Sequence, residues 1–90
     1  MHDTEIATLM QNLEGWSREG NAIVKTYRFA NYHETMAFVN AMAWISHRTD
    51  HHPDLTVGYN QCTVLYTTHS AGGLSRKDFD CAAKIDALFS

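Results

Sequence analysis

The chain holds two cysteines, one proline and seven lysines and arginines among its 90 residues, and each shortage argues against a class of protein. Two cysteines cannot build a disulfide framework, so Cys62 and Cys81 are expected as free thiols in a reducing cytosol. Ten acidic residues outnumber the seven basic ones for a formal net charge of -3, and no basic run occurs. That balance speaks against electrostatic binding to nucleic acid or to an anionic membrane surface. The longest apolar stretch, "MAFVNAMAWI", spans residues 36–45, whereas a bilayer helix needs about 20 such residues. The opening "MHDTEIATLM" lacks the basic end and apolar run of a secretory signal, so a cytoplasmic protein is expected. With no repeat, low-complexity tract or linker, residues 1–90 read as a single small domain.

What is present is ordinary for a folded chain: 44% hydrophobic and 19% charged residues. Over residues 3–13, Ile6, Leu9, Met10 and Leu13 recur at helical spacing, and Gly15 follows as a stop signal. "GWSREGNAIVKTYRFA" reads as a hairpin turning at Gly20-Asn21, with Ile23, Lys25, Tyr27 and Phe29 alternating against Val24, Thr26 and Arg28. "NYHETMAFVNAMAWISHR" reads as a long helix, with Asn31 as N-cap and Glu34 in capping-box position. "LTVGY" and "CTVLYTTH" are strand-like around Asn60-Gln61, and "LSRKDFDCAAKIDALF" is helical behind an N-capping Ser75. The order α-β-β-α-β-β-α predicts an α+β fold, a four-stranded antiparallel sheet with three helices packed on one face.

The long helix is apolar on two sides. Tyr32, Met36, Val39 and Ala43 line one, and Phe38, Ala41, Met42 and Ile45 line nearly the opposite one. A domain with one sheet covers only one of them, so a homo-oligomer is expected.

Three of the six histidines fall in two stretches, "TDHHPDL" and "YTTHSAGGLS". Pro53 ends helical geometry before it, placing His51 and His52 at the exit from a helix into a strand. If Asn60-Gln61 is a two-residue turn, His52 comes opposite His69; one residue shorter, His51 does. Such a cluster suits acid-base chemistry near neutral pH. It equally suits a metal, with His47 and His51 at the i, i+4 spacing of a helical ligand pair. It also fits three surface histidines with no joint role. Cysteine nucleophiles have no local motif to recommend them.

"HHPDL", "GYNQCTVLYTTH" and "GGLSRKDFDCAAKID" resemble the pterin-4a-carbinolamine dehydratase family, whose pattern has His-His-Pro, Tyr-Asn, Thr-His and Gly-Leu-Ser/Thr-x-x-Asp in this order. The resemblance implies three helices on one face of a four-stranded sheet, assembled as a dimer or tetramer. It implies dehydration of 4a-hydroxytetrahydropterin to quinonoid dihydropterin in tetrahydrobiopterin recycling, with no metal or other cofactor. His51, His52 and His69 would form the catalytic set. His51 and His69 would move protons, and His52 would position the pterin. Asp78 matches the family's acidic residue and, with His47, joins the expected substrate-binding residues; capping the last helix is Asp78's other reading. Two departures stand out: the position four before His51, usually a carboxylate, is His47, and the often aromatic position two after Pro53 is Leu55. Some relatives also serve a homeodomain transcription factor as dimerisation cofactors, which is the binding-module alternative.

Overall fold

The structure, a computed structural model, describes residues 1–89. Its elements are α1 (Asp3–Met10), β1 (Ser17–Glu19), β2 (Ala22–Arg28), α2 (Tyr32–Thr49), β3 (Asp54–Val57), β4 (Gln61–Tyr66) and α3 (Arg76–Asp86). Short 3-10 turns follow at His69–Ala71 and Ala87–Phe89. The strands form one antiparallel sheet in the order β1-β2-β4-β3, and the helices cover one face, as the α-β-β-α-β-β-α pattern predicts. Alternation decides what is covered. Ile23 and Tyr27 of β2 and Cys62, Val64 and Tyr66 of β4 are buried against Phe38 and Met42 of α2 and Phe79, Ala82 and Ile85 of α3. The intervening Val24, Thr63 and Leu65 stay half-exposed on the uncovered face.

The first hairpin turns where expected. Glu19 pairs with Ala22, and Gly20 takes the left-handed φ of 60° that favours glycine. The second turns one residue earlier than expected. Val57 pairs with Cys62 and the Gly58 N–H donates to Gln61 O at 2.8 Å, so Tyr59-Asn60 is the turn. Apolar alternation cannot detect this difference, because it slides β3 by two residues and every side chain keeps its face. Leu55 and Val57 oppose Val64 and Cys62, where the expected turn would have set them against Tyr66 and Val64.

Helix α2 begins as its sequence directs. Asn31 Oδ1 accepts from the Glu34 N–H at 2.9 Å, while Glu34 Oε1 accepts from the Ala30 N–H, one residue before the cap. Its buried stripe runs through Thr35, Phe38, Met42 and Ser46, two of them polar positions that an apolar pattern skips. Thr35 is accommodated because its hydroxyl lies 2.9 Å from both Asn31 O and Tyr59 O, which share its one proton. The side of Phe38 and Met42 faces the sheet, although Ala41 on it is exposed, as are Tyr32 and Ala43 on the other side.

Candidate active site

The exit from α2 aims His51. Helix geometry stops at Thr49, and Asp50 adopts a left-handed φ of 52°. Its N–H reaches His47 O at 3.4 Å, and the His51 N–H reaches back to Ser46 O at 3.2 Å, satisfying carbonyls the helix end leaves open. A non-glycine residue at this φ is uncommon, and the dense bonding around it holds the turn. His51 therefore swings towards α3 instead of continuing the helix.

There its Nε2 meets Asp78 Oδ1 at 2.6 Å. Asp78 is 0% exposed, and its other oxygen is equally occupied. Oδ2 accepts from Thr68 Oγ1 at 2.8 Å and from the Ser75 N–H at 3.0 Å. Thr68 Oγ1 also lies 2.8 Å from Ser75 Oγ. The capping reading of Asp78 is met, and the same carboxylate also grips the imidazole. The imidazole itself stacks on Tyr66, with ring centroids 5.4 Å apart and planes 17° from parallel. Burial above all lifts the Tyr66 hydroxyl beyond the usual tyrosine range, so it stays protonated. Ser46 is near enough to ease that rise slightly, yet neither hydroxyl meets a partner in hydrogen-bond geometry among the described residues.

The ladder between β3 and β4 ends at Asp54 and Leu65, because Pro53 has no N–H to donate. Continued backwards, its register brings Thr68, not His69, level with His51, and Thr67 level with His52. The expected facing of His51 or His52 with His69 is therefore not formed. His69 instead opens the 3-10 turn that Gly72 closes at a φ of 72°. Thr68 and Gly73 bind each other in both directions, at 3.0 and 3.2 Å, across the base of this loop. His69 lines a cavity with Asn21, Thr67, Gly72 and Gly73, and His51 lines another with Thr49, Lys77, Asp80, Cys81 and Lys84. His52 and His69 are exposed, and neither ring has a hydrogen-bond partner among the described residues.

His47 lies outside this network. It is exposed on the last turn of α2 and stacks on the exposed Trp44 at 5.8 Å. The helical ligand pair with His51 does not form, because the helix ends between the two. No group of three His, Cys, Asp or Glu side chains is gathered to hold a metal among the described residues. Cys62 is 0% exposed and burial raises its thiol pKa, which suits a core side chain rather than a nucleophile. Sequence reasoning missed Tyr66 and Thr68. The signal was available, because Cys62, Val64, Tyr66 and Thr68 share one strand face, and a threonine there must find a partner inside.

The family model described as pterin 4 alpha carbinolamine dehydratase matches residues 1–88. A protein of Nitrosospira multiformis, provisionally named pterin-4-alpha-carbinolamine dehydratase, is 66% identical over 94% of this chain and 75% of its own length. One of Chromobacterium violaceum, named the same way, is 56% identical over 97% of this chain and 81% of its own. Among solved structures, a transcriptional coactivator/pterin dehydratase from Brucella melitensis superposes with a TM-score of 0.94 at 27% identity, covering 98% of this chain and 96% of that one. A pterin dehydratase-like protein identified as a RuBisCO assembly factor in the alpha-carboxysome gives 0.72 at 26% identity, covering 83% of this chain and 89% of that one.

Proposed function

The chain belongs to the pterin-4a-carbinolamine dehydratase family, and on that premise we propose that it dehydrates 4a-hydroxytetrahydropterin to quinonoid dihydropterin and water. The C4a–O bond breaks, one proton joins the departing hydroxyl and one leaves a ring nitrogen. The elimination is redox-neutral, so paired imidazoles suffice for it without a cofactor.

The observation that carries this reading is the His51–Asp78 bond. An ionised carboxylate only accepts, so the proton on Nε2 of His51 is committed to Asp78, and Nδ1 is left to receive one from the pterin. Asp78 then stabilises the imidazolium that forms, as a buried negative charge beside a developing positive one. His69, exposed on its loop, is assigned delivery of the proton to the leaving hydroxyl. His52 is assigned positioning of the pterin. Asp78 serves by orienting His51, and among the described residues His47 meets Trp44 and no member of this network.

On this reading residues 1–90 act as one catalytic domain in tetrahydrobiopterin recycling in the cytoplasm. Among the described residues no helix is long and apolar enough to cross a membrane. The working form is a homo-oligomer whose second copy covers the outward side of α2. Support comes from the exposure of Tyr32, Trp44, Leu88 and Phe89, and from a shallow groove between Phe29, Ala37, Ala41 and Leu88. The name of the Brucella relative couples dehydration with coactivation, which keeps a partner-binding role as the second reading. Following the decay of the 4a-carbinolamine with and without the protein separates them. Acceleration supports the dehydratase; decay at the uncatalysed rate leaves only partner binding.

A further inference from the structure

Thr68 belongs to both halves of the site. Its side chain donates to Asp78 Oδ2 at 2.8 Å, on the carboxylate that grips His51. Its main chain closes the loop that begins at the next residue, His69: Thr68 N–H donates to Gly73 O at 3.0 Å, and Thr68 O accepts from Gly73 N at 3.2 Å and Ala71 N at 3.1 Å. Its hydroxyl has one proton, and that proton is directed at the carboxylate, so in the contact with Ser75 Oγ the serine donates. Thr68 is 7% exposed as a residue, and its bond to Asp78 is buried.

We infer that Thr68 is a positioning residue that sets the spacing between the two proton-transfer histidines, holding Asp78 against His51 through its side chain and fixing the start of the His69 loop through its backbone. The inference rests on the dehydratase reading and adds to it a residue that touches neither substrate nor imidazole. A threonine fits the position for a physical reason. Valine has its shape but leaves the buried Asp78 Oδ2 and the half-buried Ser75 Oγ each short of a partner. Serine keeps the hydroxyl and loses only a methyl group. Because acid and base must meet one substrate at once, a shift of either by a fraction of an ångström lowers the rate while affinity, carried elsewhere, is retained.

The test combines dehydration kinetics with NMR of the histidine rings in Thr68→Val, Thr68→Ser and the double variant Thr68→Val/Asp78→Asn. Thr68→Val is expected to lower kcat by about 10- to 100-fold with KM unchanged within about two-fold. Thr68→Ser is expected to recover to within about three-fold of the parent. The double variant is expected to be no slower than Asp78→Asn alone, since both changes break one link. In Thr68→Val the ring resonances of His51 and His69 should both move, while those of His2 and His33 stay. A parental kcat in Thr68→Val, no rescue by serine, or losses that multiply in the double variant would overturn the inference. If the parent protein dehydrates nothing, the functional reading fails and the NMR arm alone decides. Movement of both rings then upholds the link, and movement of neither removes it. Should Thr68→Val not fold, Thr68→Ala removes the same hydroxyl without the branched side chain and takes its place.

Discussion

Helix α3 carries an aspartate near each end that gathers donors from distant parts of the chain, and the two clusters differ in what their donors can do. Asp78, in the first turn, accepts from His51, Thr68 and the Ser75 backbone. Asp86, in the last, accepts from Trp16 Nε1 at 3.0 Å, from Lys25 Nζ at 2.9 Å and from the Tyr27 hydroxyl. Both fasten helix to sheet. The Asp86 donors have no second titrating position to offer a substrate. An indole N–H does not titrate, burial and then the bond to Asp86 hold Tyr27 protonated far into alkali, and Lys25 also caps Glu14 O at 2.8 Å. The Asp78 cluster contains an imidazole with a second ring nitrogen. A buried carboxylate network therefore marks a fastening in general. It marks chemistry only where one donor keeps a proton site for something else.

The sharpest way to break this contrast is to compare rates at the two ends. His51→Ala and His69→Ala are each expected to slow dehydration by about 10²- to 10⁴-fold, and His52→Ala to act mainly on KM. Asp86→Asn should leave kcat within about three-fold of the parent. A large kcat loss from Asp86→Asn would erase the distinction.

Stability should show the reverse emphasis. Asp86→Asn weakens bonds to three partners and is expected to cost about 1–3 kcal/mol, read as a lower midpoint in urea or on heating. An unchanged midpoint would mean that the Asp86 cluster fastens nothing.

The two buried tyrosines sharpen the comparison through pH. Burial raises both Tyr27 and Tyr66 above their ordinary value of 10.0. Their protonated forms are favoured in the folded state, so the associated stability is complete below pH 10 and is lost as pH rises beyond it, where the unfolded chain ionises first. Each contributes a slope of at most about 1.4 kcal/mol per pH unit. Tyr66→Phe should make the alkaline decline shallower and leave neutral stability unharmed, since its hydroxyl meets no partner among the described residues. Tyr27→Phe should also make it shallower, but at a cost of about 1 kcal/mol at neutral pH, because Asp86 loses a donor. Denaturation midpoints from pH 7 to 11 check both.

The smallest effect is expected at His47. Its sequence position implies a carboxylate's role beside His51, but Asp78 already fills that role, and His47 rests on Trp44 at the helix surface. His47→Glu should leave kcat and KM within about two-fold of the parent. A larger change in kcat would return His47 to the site.

Much of the fold was legible because helix and strand periods are local. Ile23 and Tyr27, or Cys62, Val64 and Tyr66, declare their shared face by alternation alone. The second turn was misplaced by one residue because a two-residue slide of β3 preserves that alternation. The same slip led the expected register to His69 and hid Thr68. The resemblance nominated His51 and Asp78 separately, yet nothing in their spacing joins residues 27 apart in the chain. Asp86 went unnoticed for a related reason, since Trp16, Lys25 and Tyr27 meet it only once sheet and helix pack.

The central claim is that Asp78 orients His51 for proton transfer, and steady-state kinetics of Asp78→Asn against the parent test it most directly. The bond between Asp78 Oδ1 and His51 Nε2 fixes which way the ring faces, and an amide in that place can present an NH2 group where an oxygen accepted. The account predicts a kcat lowered by about 10- to 100-fold with KM kept within about two-fold. A parental kcat in a variant of reduced folded stability would show that Asp78 only fastens α3, and would contradict it.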